Sequence, residues 1–179
     1  MRNWTHCITV AHVTAAILTG CGPVSHAEPV STNATVLRAV DGDTLDVRSD
    51  SRARLRIRVV GLDTPEAVRR GWSVGCHGPE ASSYAKATLT GQRIALVIDP
   101  TQDATDRYGR TLAGVLLSDG RNYAVEAVRR GHGRAYLYGN KPNMWAQDIA
   151  AAENQARHEG EGLWGAPCYG KTESEKLDK

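Results

Sequence analysis

Short stretches of alternating hydrophobic and polar residues run through this chain and predict β-strands. The clearest spans residues 54–60, where an arginine at every second position alternates with Leu55, Ile57 and Val59. Period-two alternation of this kind is typical of a strand with one buried face. Other strands are predicted over residues 35–40, 44–48, 94–98 and 111–117, with a short one over 132–136.

Three helices are predicted between and after these strands. Pro79 stands in the first turn of a helix that ends near Gly91, and Asn122 begins a second helix that ends near Gly131. Proline, asparagine and glycine are common at these helix ends. A third helix is predicted over residues 142–159. Five strands in meander-plus-return order with about three flanking helices predict an α+β fold that is mainly β, a five-stranded barrel of the OB type.

The beginning of the 179-residue chain differs in character from the rest. Arg2 precedes a mostly apolar stretch over residues 7–18, which is too short to cross a bilayer and is typical of the core of a signal peptide. Residues 18–21, Leu-Thr-Gly-Cys, resemble the lipobox of bacterial lipoproteins, in which the cysteine is lipidated. The sequence therefore predicts a signal peptide over residues 1–21, lipidation of Cys21 and a tether over residues 22–33.

Two other interpretations of this region stay open. Residues 25–27, Ser-His-Ala, form a small-x-small cleavage site that would release a protein starting at Glu28, and residues 1–30 could instead be a disordered tail. Either processed form would work outside the cytoplasm, anchored to the outer face of the membrane or secreted. The folded domain is then predicted over residues 34–168, with a flexible tail over residues 169–179.

The cysteines agree with export. Cys7 and Cys21 belong to the predicted leader, which leaves Cys76 and Cys168 in the domain. Two distant cysteines in an exported chain most simply form a disulfide, whereas a structural metal site needs more ligands at close spacing. We therefore predict a bridge between Cys76 and Cys168.

Candidate chemistry lies in local motifs rather than in overall charge. The formal net charge is only +2, which excludes the strong cationic excess of proteins that coat nucleic acid. Asp63-Thr64-Pro65-Glu66 closes the strand that carries Arg58, further acids lie in Asp41-Gly42-Asp43, and Arg110 follows a polar loop. Carboxylates suit a hard divalent ion, and guanidinium groups suit phosphate oxygens. Together they predict attack on a phosphodiester by metal-activated water.

Each of these motifs also has a purely structural interpretation. Asp41-Gly42-Asp43 could be only a hairpin turn, and residues 63–66 could cap a helix. Arg58 could belong to a solvated strand face, and Arg110 could pair with Asp106 for structure alone. The chemical interpretation is favoured because all of the structural ones would have to hold at once.

Five motifs in order resemble the thermonuclease (staphylococcal-nuclease-like) family. They are Val40-Asp41-Gly42-Asp43-Thr44, Arg58 with Leu62-Asp63-Thr64-Pro65-Glu66, Gly78-Pro79-Glu80-Ala81-Ser82, Asp106-Arg107-Tyr108-Gly109-Arg110 and Ala135-Tyr136-Leu137-Tyr138. The resemblance covers roughly residues 34–165, essentially the whole predicted domain. One such motif is weak, but five in family order are specific.

The resemblance implies a metal site. Asp43 and Asp63 would bind one Ca²⁺ ion through their carboxylates, and Thr64 would bind it through its backbone carbonyl. Asp41 would support these ligands from behind. Glu66 would stand over the attacking water, either removing its proton or orienting it.

The resemblance also implies a substrate site. Arg58 and Arg110 would hold the scissile phosphate and stabilise the phosphorane-like transition state. Tyr108 and Tyr136 would contact the nucleotide, together with Arg107, which stands where the family often has lysine. That exchange keeps the positive charge and changes the donor geometry.

The implied function is calcium-dependent hydrolysis of DNA and RNA with little sequence specificity. The implied partners are these nucleic acids as substrates and, through Cys21, a membrane, without an obligate protein partner; we expect a monomer. The alternative is a catalytically inactive module of the same fold that binds nucleic acid or protein. The enzyme is favoured because the acids and the arginines of the motifs occur together.

Overall fold

The structure is a computed structural model that describes residues 28–51, 54–67 and 70–177. The elements are, in order, β1 (Ala34–Ala39), β2 (Thr44–Ser49), β3 (Leu55–Val59), β4 (Leu62–Asp63), α1 (Gly78–Leu89), β5 (Arg93–Val97), β6 (Thr111–Leu117), α2 (Tyr123–Arg129), β7 (Arg134–Ala135) and α3 (Ala146–Glu159). Single 3-10 turns, Tyr138–Asn140 and Gly162–Trp164, stand on either side of α3. The predicted signal peptide, Cys21 and the tether up to residue 27 lie outside the described residues.

Five of the strands close into a barrel. Their order is β1-β2-β3-β6-β5, and pairing of β5 with β1 completes the circle. β3 and β6 run parallel, while the other neighbours are antiparallel. The interior is filled by alternate residues of each strand, among them Val36, Leu45, Ile57, Ile94 and Val115, all essentially buried. The predicted OB-type barrel is therefore confirmed, and each of its five strands is paired with a neighbour on both sides.

Helices α1 and α2 form where the sequence predicts them. α1 has proline in its first turn and buries Ala81, Ala85 and Leu89, which recur at four-residue spacing and face the barrel. The Asn122 side chain caps α2, where its Oδ1 accepts the amide of Ala124 at 2.8 Å.

Helix α3 begins later than predicted. It starts at Ala146 rather than at residue 142, because the Asn143 side chain accepts the Trp145 amide at 2.9 Å and holds a turn ahead of the helix. The Trp145 ring then packs against β6 at Gly114, where an added Cβ would lie 2.2 Å from the ring. This contact fixes the start of α3 on the barrel wall.

A two-residue ladder extends the barrel just beyond β3. In β4 and β7, Leu62 pairs with Ala135 and Asp63 with Arg134. The short strand predicted over residues 132–136 is therefore reduced to two residues, and β4 is its partner. Since β4 leaves β3 directly, the ladder places Asp63 next to the segment that carries Tyr136.

The chain after α3 returns to the start of α1. Cys168 forms a disulfide with Cys76, with their Cα atoms 5.7 Å apart, which is the pairing that the sequence predicts. Beyond it, the part of the predicted tail that the structure describes lies against residues 71–75, and the Leu177 amide donates to the Gly71 carbonyl at 2.9 Å. No helix in the described residues is long and apolar enough to span a bilayer.

Candidate active site

The turn between β1 and β2 carries the first acids of the site. The turn connects two antiparallel strands as a hairpin, and the Val40 amide donates to the Thr44 carbonyl across it at 2.8 Å. Within it, the Asp43 amide donates to the Asp41 carboxylate at 3.2 Å. An added Cβ on Gly42 would lie 2.6 Å from the Thr64 side chain. Asp41-Gly42-Asp43 is thus both a tight turn and a surface packed against the second acidic motif.

Arg58 joins the two acidic motifs. Its guanidinium lies 3.2 Å from the Asp43 carboxylate and 3.0 Å from that of Asp63, and it also donates to the Leu62 carbonyl. Asp43 additionally accepts the Thr64 amide at 3.1 Å. The side chains of Arg58 and Asp43 are only 11% and 9% exposed, so their charges interact with little screening by water.

Arg110 is held by its own loop and points toward β2. Its Nε donates to Asp106 at 2.6 Å, and its Nη1 donates to the Thr44 hydroxyl at 3.2 Å. Asp106 is buried and also accepts the amides of Tyr108 and Arg110 at 2.9 and 3.0 Å. The structural pairing of Arg110 with Asp106 therefore exists, and it orients the guanidinium instead of excluding it from a site.

Both arginines line one open cavity of about 650 Å³. Its charged and aromatic lining residues are Arg58, Asp63, Asp103, Asp106, Arg107, Tyr108, Arg110, Tyr136 and Tyr138. Tyr108 is 68% exposed and Tyr136 is 42% exposed, so both side chains are accessible from the cavity. The Arg107 guanidinium lies over the Tyr108 ring, 4.8 Å from its centroid.

Glu66 lies on the other side of Asp63. It lines a separate polar cavity of about 480 Å³ with Thr64, Trp72 and Arg134, and Asp63 belongs to both cavities. The Glu66 side chain is half-buried, and its carbonyl accepts the Gly75 amide at 2.8 Å. The predicted site residues thus fall around Asp63, with the arginines and tyrosines on one side and Glu66 on the other.

Burial and, after it, neighbouring charges shift the pKa values of the acids. Burial, followed by the charge of Asp43, raises the pKa of Asp41 to about 6. The pKa of Asp63 is also raised, first by desolvation and then by Asp43, against the opposing effect of Arg58. Burial alone would raise the pKa of Asp106, but the hydrogen bonds from Arg110 outweigh it and lower that pKa. Like charges are therefore concentrated where the metal is predicted.

The oxygen atoms of Asp43, Asp63 and Thr64 are of the chemical type that calcium binds. Within the described residues no three Asp, Glu, His or Cys side chains converge as a ready metal site; the Asp43 and Asp63 carboxylates meet at Arg58 instead. Two carboxylates, the Thr64 carbonyl and solvent are nevertheless oxygen ligands of the kind that calcium takes. Burial, and after it the charge of Asp43, raises the pKa values of Asp41 and Asp63, and a divalent cation would relieve the repulsion from Asp43.

Two residues near the site had no sequence signal of their own. Asp103 lines the larger cavity and pairs with Lys141 at 3.1 Å, joining two loops that are far apart in sequence. Arg134 lines the smaller cavity opposite Asp63. A single charged residue in a polar loop or a two-residue strand carries no pattern, so only the folded chain reveals either position.

These features define an OB-type barrel whose rim joins arginines, carboxylates and exposed tyrosines in one site. The chain belongs to the family of staphylococcal nuclease homologues, whose model matches residues 56–166. It is 37% identical over 130 residues to the thermonuclease of Staphylococcus hyicus, covering 72% of this chain and 73% of that protein. The thermonuclease of Staphylococcus intermedius is 36% identical over 130 residues, 72% of this chain and 74% of that protein. An uncharacterized endonuclease of Escherichia coli is 33% identical over 129 residues, with 72% and 74% covered.

Proposed function

We propose that this protein is a calcium-dependent nuclease that hydrolyses phosphodiester bonds of DNA and RNA with little sequence specificity. One observation carries the proposal: Arg58 and Arg110, from distant parts of the chain, line a single cavity with Asp63, Tyr108 and Tyr136. The relatives named thermonuclease and endonuclease support the reaction class.

Arg58 and Arg110 are proposed to bind the scissile phosphate. Attack on phosphorus builds negative charge on the equatorial oxygens, and guanidinium forks match that charge and geometry. Arg110 is already oriented by Asp106 at 2.6 Å, so less ordering is needed when the substrate binds. Both arginines therefore stabilise the transition state more than the ground state.

Asp43, Asp63 and the Thr64 carbonyl are proposed to hold the calcium ion, with Asp41 behind them. When bound, the ion supplies positive charge for the phosphate oxygens and lowers the pKa of water. Arg58 forms ion pairs with both Asp43 and Asp63. Because these carboxylates serve Arg58 and the ion alike, we expect binding of the ion and of the phosphate to be coupled.

Tyr108 and Tyr136 are proposed to contact the nucleotide, and Arg107 the adjoining phosphate. Exposed rings offer stacking surfaces that accept any base, which favours single-stranded or locally opened substrates. Tyr136 lies beside Arg58, whose guanidinium carbon is 5.8 Å from the ring centroid. The nucleotide and its phosphate would thus be held side by side.

Glu66 provides the test of this proposal, because it is assigned to the attacking water and not to substrate binding. Glu66→Gln should leave the affinity for single-stranded DNA within about threefold and lower kcat by two to four orders of magnitude. Fluorescence anisotropy measures the first quantity and a cleavage assay the second. Unchanged turnover would remove Glu66 from the chemistry.

We further propose that the protein is exported and anchored through a lipid on Cys21. The lipobox pattern and the Cys76–Cys168 disulfide support this proposal, since disulfides persist in oxidising compartments. Fatty-acid labelling, compared between the natural chain and Cys21→Ser, tests the anchor against release after Ala27.

A further inference from the structure

Residues 170–177 lie antiparallel to residues 71–75 and are hydrogen-bonded to them. The Ser73 amide donates to the Glu175 carbonyl at 2.7 Å, and the Leu177 amide donates to the Gly71 carbonyl at 2.9 Å. The Glu175 amide in turn donates to the Ser73 hydroxyl at 2.8 Å. The contacts are mostly backbone to backbone, which explains why the polar sequence of this segment does not predict them.

The 170–177 segment is also fastened at its beginning. Cys168 is covalently bound to Cys76, at the end of the 71–75 segment. Arg134 donates to the Gly170 carbonyl and, at 3.1 Å, to the Thr172 hydroxyl. Since Arg134 pairs with Asp63 across the β4–β7 ladder, the segment is joined to the strand that carries a proposed calcium ligand.

A chain of close contacts leads from this segment to Glu66. The Gly75 amide donates to the Glu66 carbonyl at 2.8 Å. A Cβ on Gly75 would lie 2.7 Å from the Thr172 carbonyl oxygen and 3.2 Å from the Glu66 amide. Gly75 is therefore packed between the backbones of Thr172 and Glu66, with no room for a side chain.

The same segment forms one wall of the cavity in which Glu66 lies. Thr172, Glu173 and Ser174 line it opposite Asp63 and Glu66. A displacement of the segment would thus remove one wall of this open cavity and the support behind Gly75 at the same time.

We propose that residues 170–177 are a positioning element for Glu66. They hold the 71–75 segment, which holds the Glu66 backbone, and so fix the carboxylate relative to Asp63. The inference rests on the proposed nuclease function and adds to it a dependence of turnover on a segment remote in sequence. A misplacement of about 1 Å can cost on the order of a hundredfold in rate, so this support matters for kcat rather than for substrate binding.

Deletion of residues 172–179 from the otherwise full chain tests the inference, because the disulfide and the Gly170 carbonyl remain. The expected result is a kcat lowered at least about tenfold with KM changed less than about twofold. Hydrogen–deuterium exchange of the Gly75 amide should also become about tenfold faster. A merely stabilising tail would lower the melting temperature and leave kcat unchanged at a temperature where the protein is folded.

A pair of proline substitutions decides the matter if the deletion variant does not fold. Glu175→Pro removes the amide that donates to the Ser73 hydroxyl. Lys176→Pro is the control, because the described contacts include no hydrogen bond from the Lys176 amide to residues 71–75. We expect a severalfold lower kcat for the first and no change for the second. Equal kcat and equal Gly75 exchange in both variants and in the natural chain would overturn the inference. A natural chain that binds DNA without cutting it would overturn the proposed function instead.

Discussion

At the scale of single residues, Arg58 links the acids to the phosphate site. It forms ion pairs with Asp43 and Asp63 at once and still lines the cavity proposed for the substrate. The planar guanidinium can donate hydrogen bonds to several oxygens in fixed directions, which a lysine ammonium at the same position cannot do. An uncompensated pair of acids would remain if this arginine were removed, so its role in structure and its proposed role in binding are inseparable.

A partly buried histidine pair lies outside the site. His77 and His132 share a hydrogen bond of 3.0 Å, and His132 stacks on Tyr84 with 4.4 Å between ring centroids. Burial, followed by the charges of His77 and Arg130, lowers the pKa of His132 to about 4, against the opposing charge of Glu80. Burial lowers the pKa of His77 as well.

The histidine pair is therefore expected to make a contribution to stability that is lost in weak acid. The unfolded chain binds a proton at His132 near pH 6.5, whereas the folded chain binds it only near pH 4. Between these values the unfolded state binds more protons at this residue, so the contribution of His132 to the free energy of unfolding falls as the pH falls, by about 3 kcal/mol. Urea denaturation at several pH values measures the slope, and His132→Phe, which keeps a stacked ring, should reduce it. An equal slope in the variant between pH 6.5 and 4 would contradict the assignment.

At the scale of elements, α2 supports the acidic turn from inside the protein. The Tyr123 side chain is fully buried, and its hydroxyl donates to the Gly42 carbonyl at 2.8 Å. Burial raises the pKa of Tyr123 well above its ordinary value, so the hydroxyl keeps the proton that it donates. Asp41 and Asp43 flank this carbonyl, and the helix thereby fixes the turn that presents them.

Tyr123→Phe should lower the free energy of unfolding by about 1–2 kcal/mol, because the buried Gly42 carbonyl loses its donor. Chemical denaturation measures the change. Tyr169→Phe is the matched control: that side chain is 72% exposed, so removing its hydroxyl leaves no buried group without a hydrogen-bond partner. Identical denaturation midpoints for the natural chain and Tyr123→Phe would show that the bond does not contribute.

The strands and helices were predictable where side chains alternate between the core and solvent. β3 follows the predicted range closely because its buried side chains alternate with more exposed ones. β6 also matches its predicted range, but as an apolar run whose residues 112–115 are all buried. The 170–177 segment and the β4–β7 ladder were not predictable, since both depend on backbone pairing between segments far apart in sequence. At the site, the motifs identify the residue types, but only the folded chain reveals that Arg58 bridges two acids and that Asp106 orients Arg110.

At the scale of the whole molecule, the Cys76–Cys168 disulfide joins the start of α1 to the chain that follows α3. The two cysteines are 92 residues apart in sequence, and the loop between them includes β5 and β6 of the barrel and all three helices. A cross-link over so long a loop mainly restricts the unfolded chain. It therefore stabilises the fold as a whole without taking part in the proposed chemistry.

Reduction of this disulfide should lower the free energy of unfolding by about 4–5 kcal/mol in the chain-entropy model. The melting temperature should fall by roughly 10 °C or more as a result. At temperatures where the reduced protein stays folded, cleavage should persist, because the hydrogen bonds of the 170–177 segment remain. Melting curves with and without reductant, beside thiol titration, measure the effect. The double variant Cys76→Ser/Cys168→Ser should not respond to reductant, and an unchanged melting temperature after verified reduction would refute the estimate.

Cleavage of denatured DNA by the full chain, first with calcium and then with excess EGTA, tests the central claim most directly. The natural chain is compared with Arg110→Ala and with Arg48→Ala, an exposed arginine of β2 remote from the cavity lining. We expect calcium-dependent cutting that falls at least a hundredfold in Arg110→Ala and is unchanged in Arg48→Ala. A folded protein that binds DNA but does not cut it, or one that cuts equally well in EGTA and without Arg110, would contradict the account.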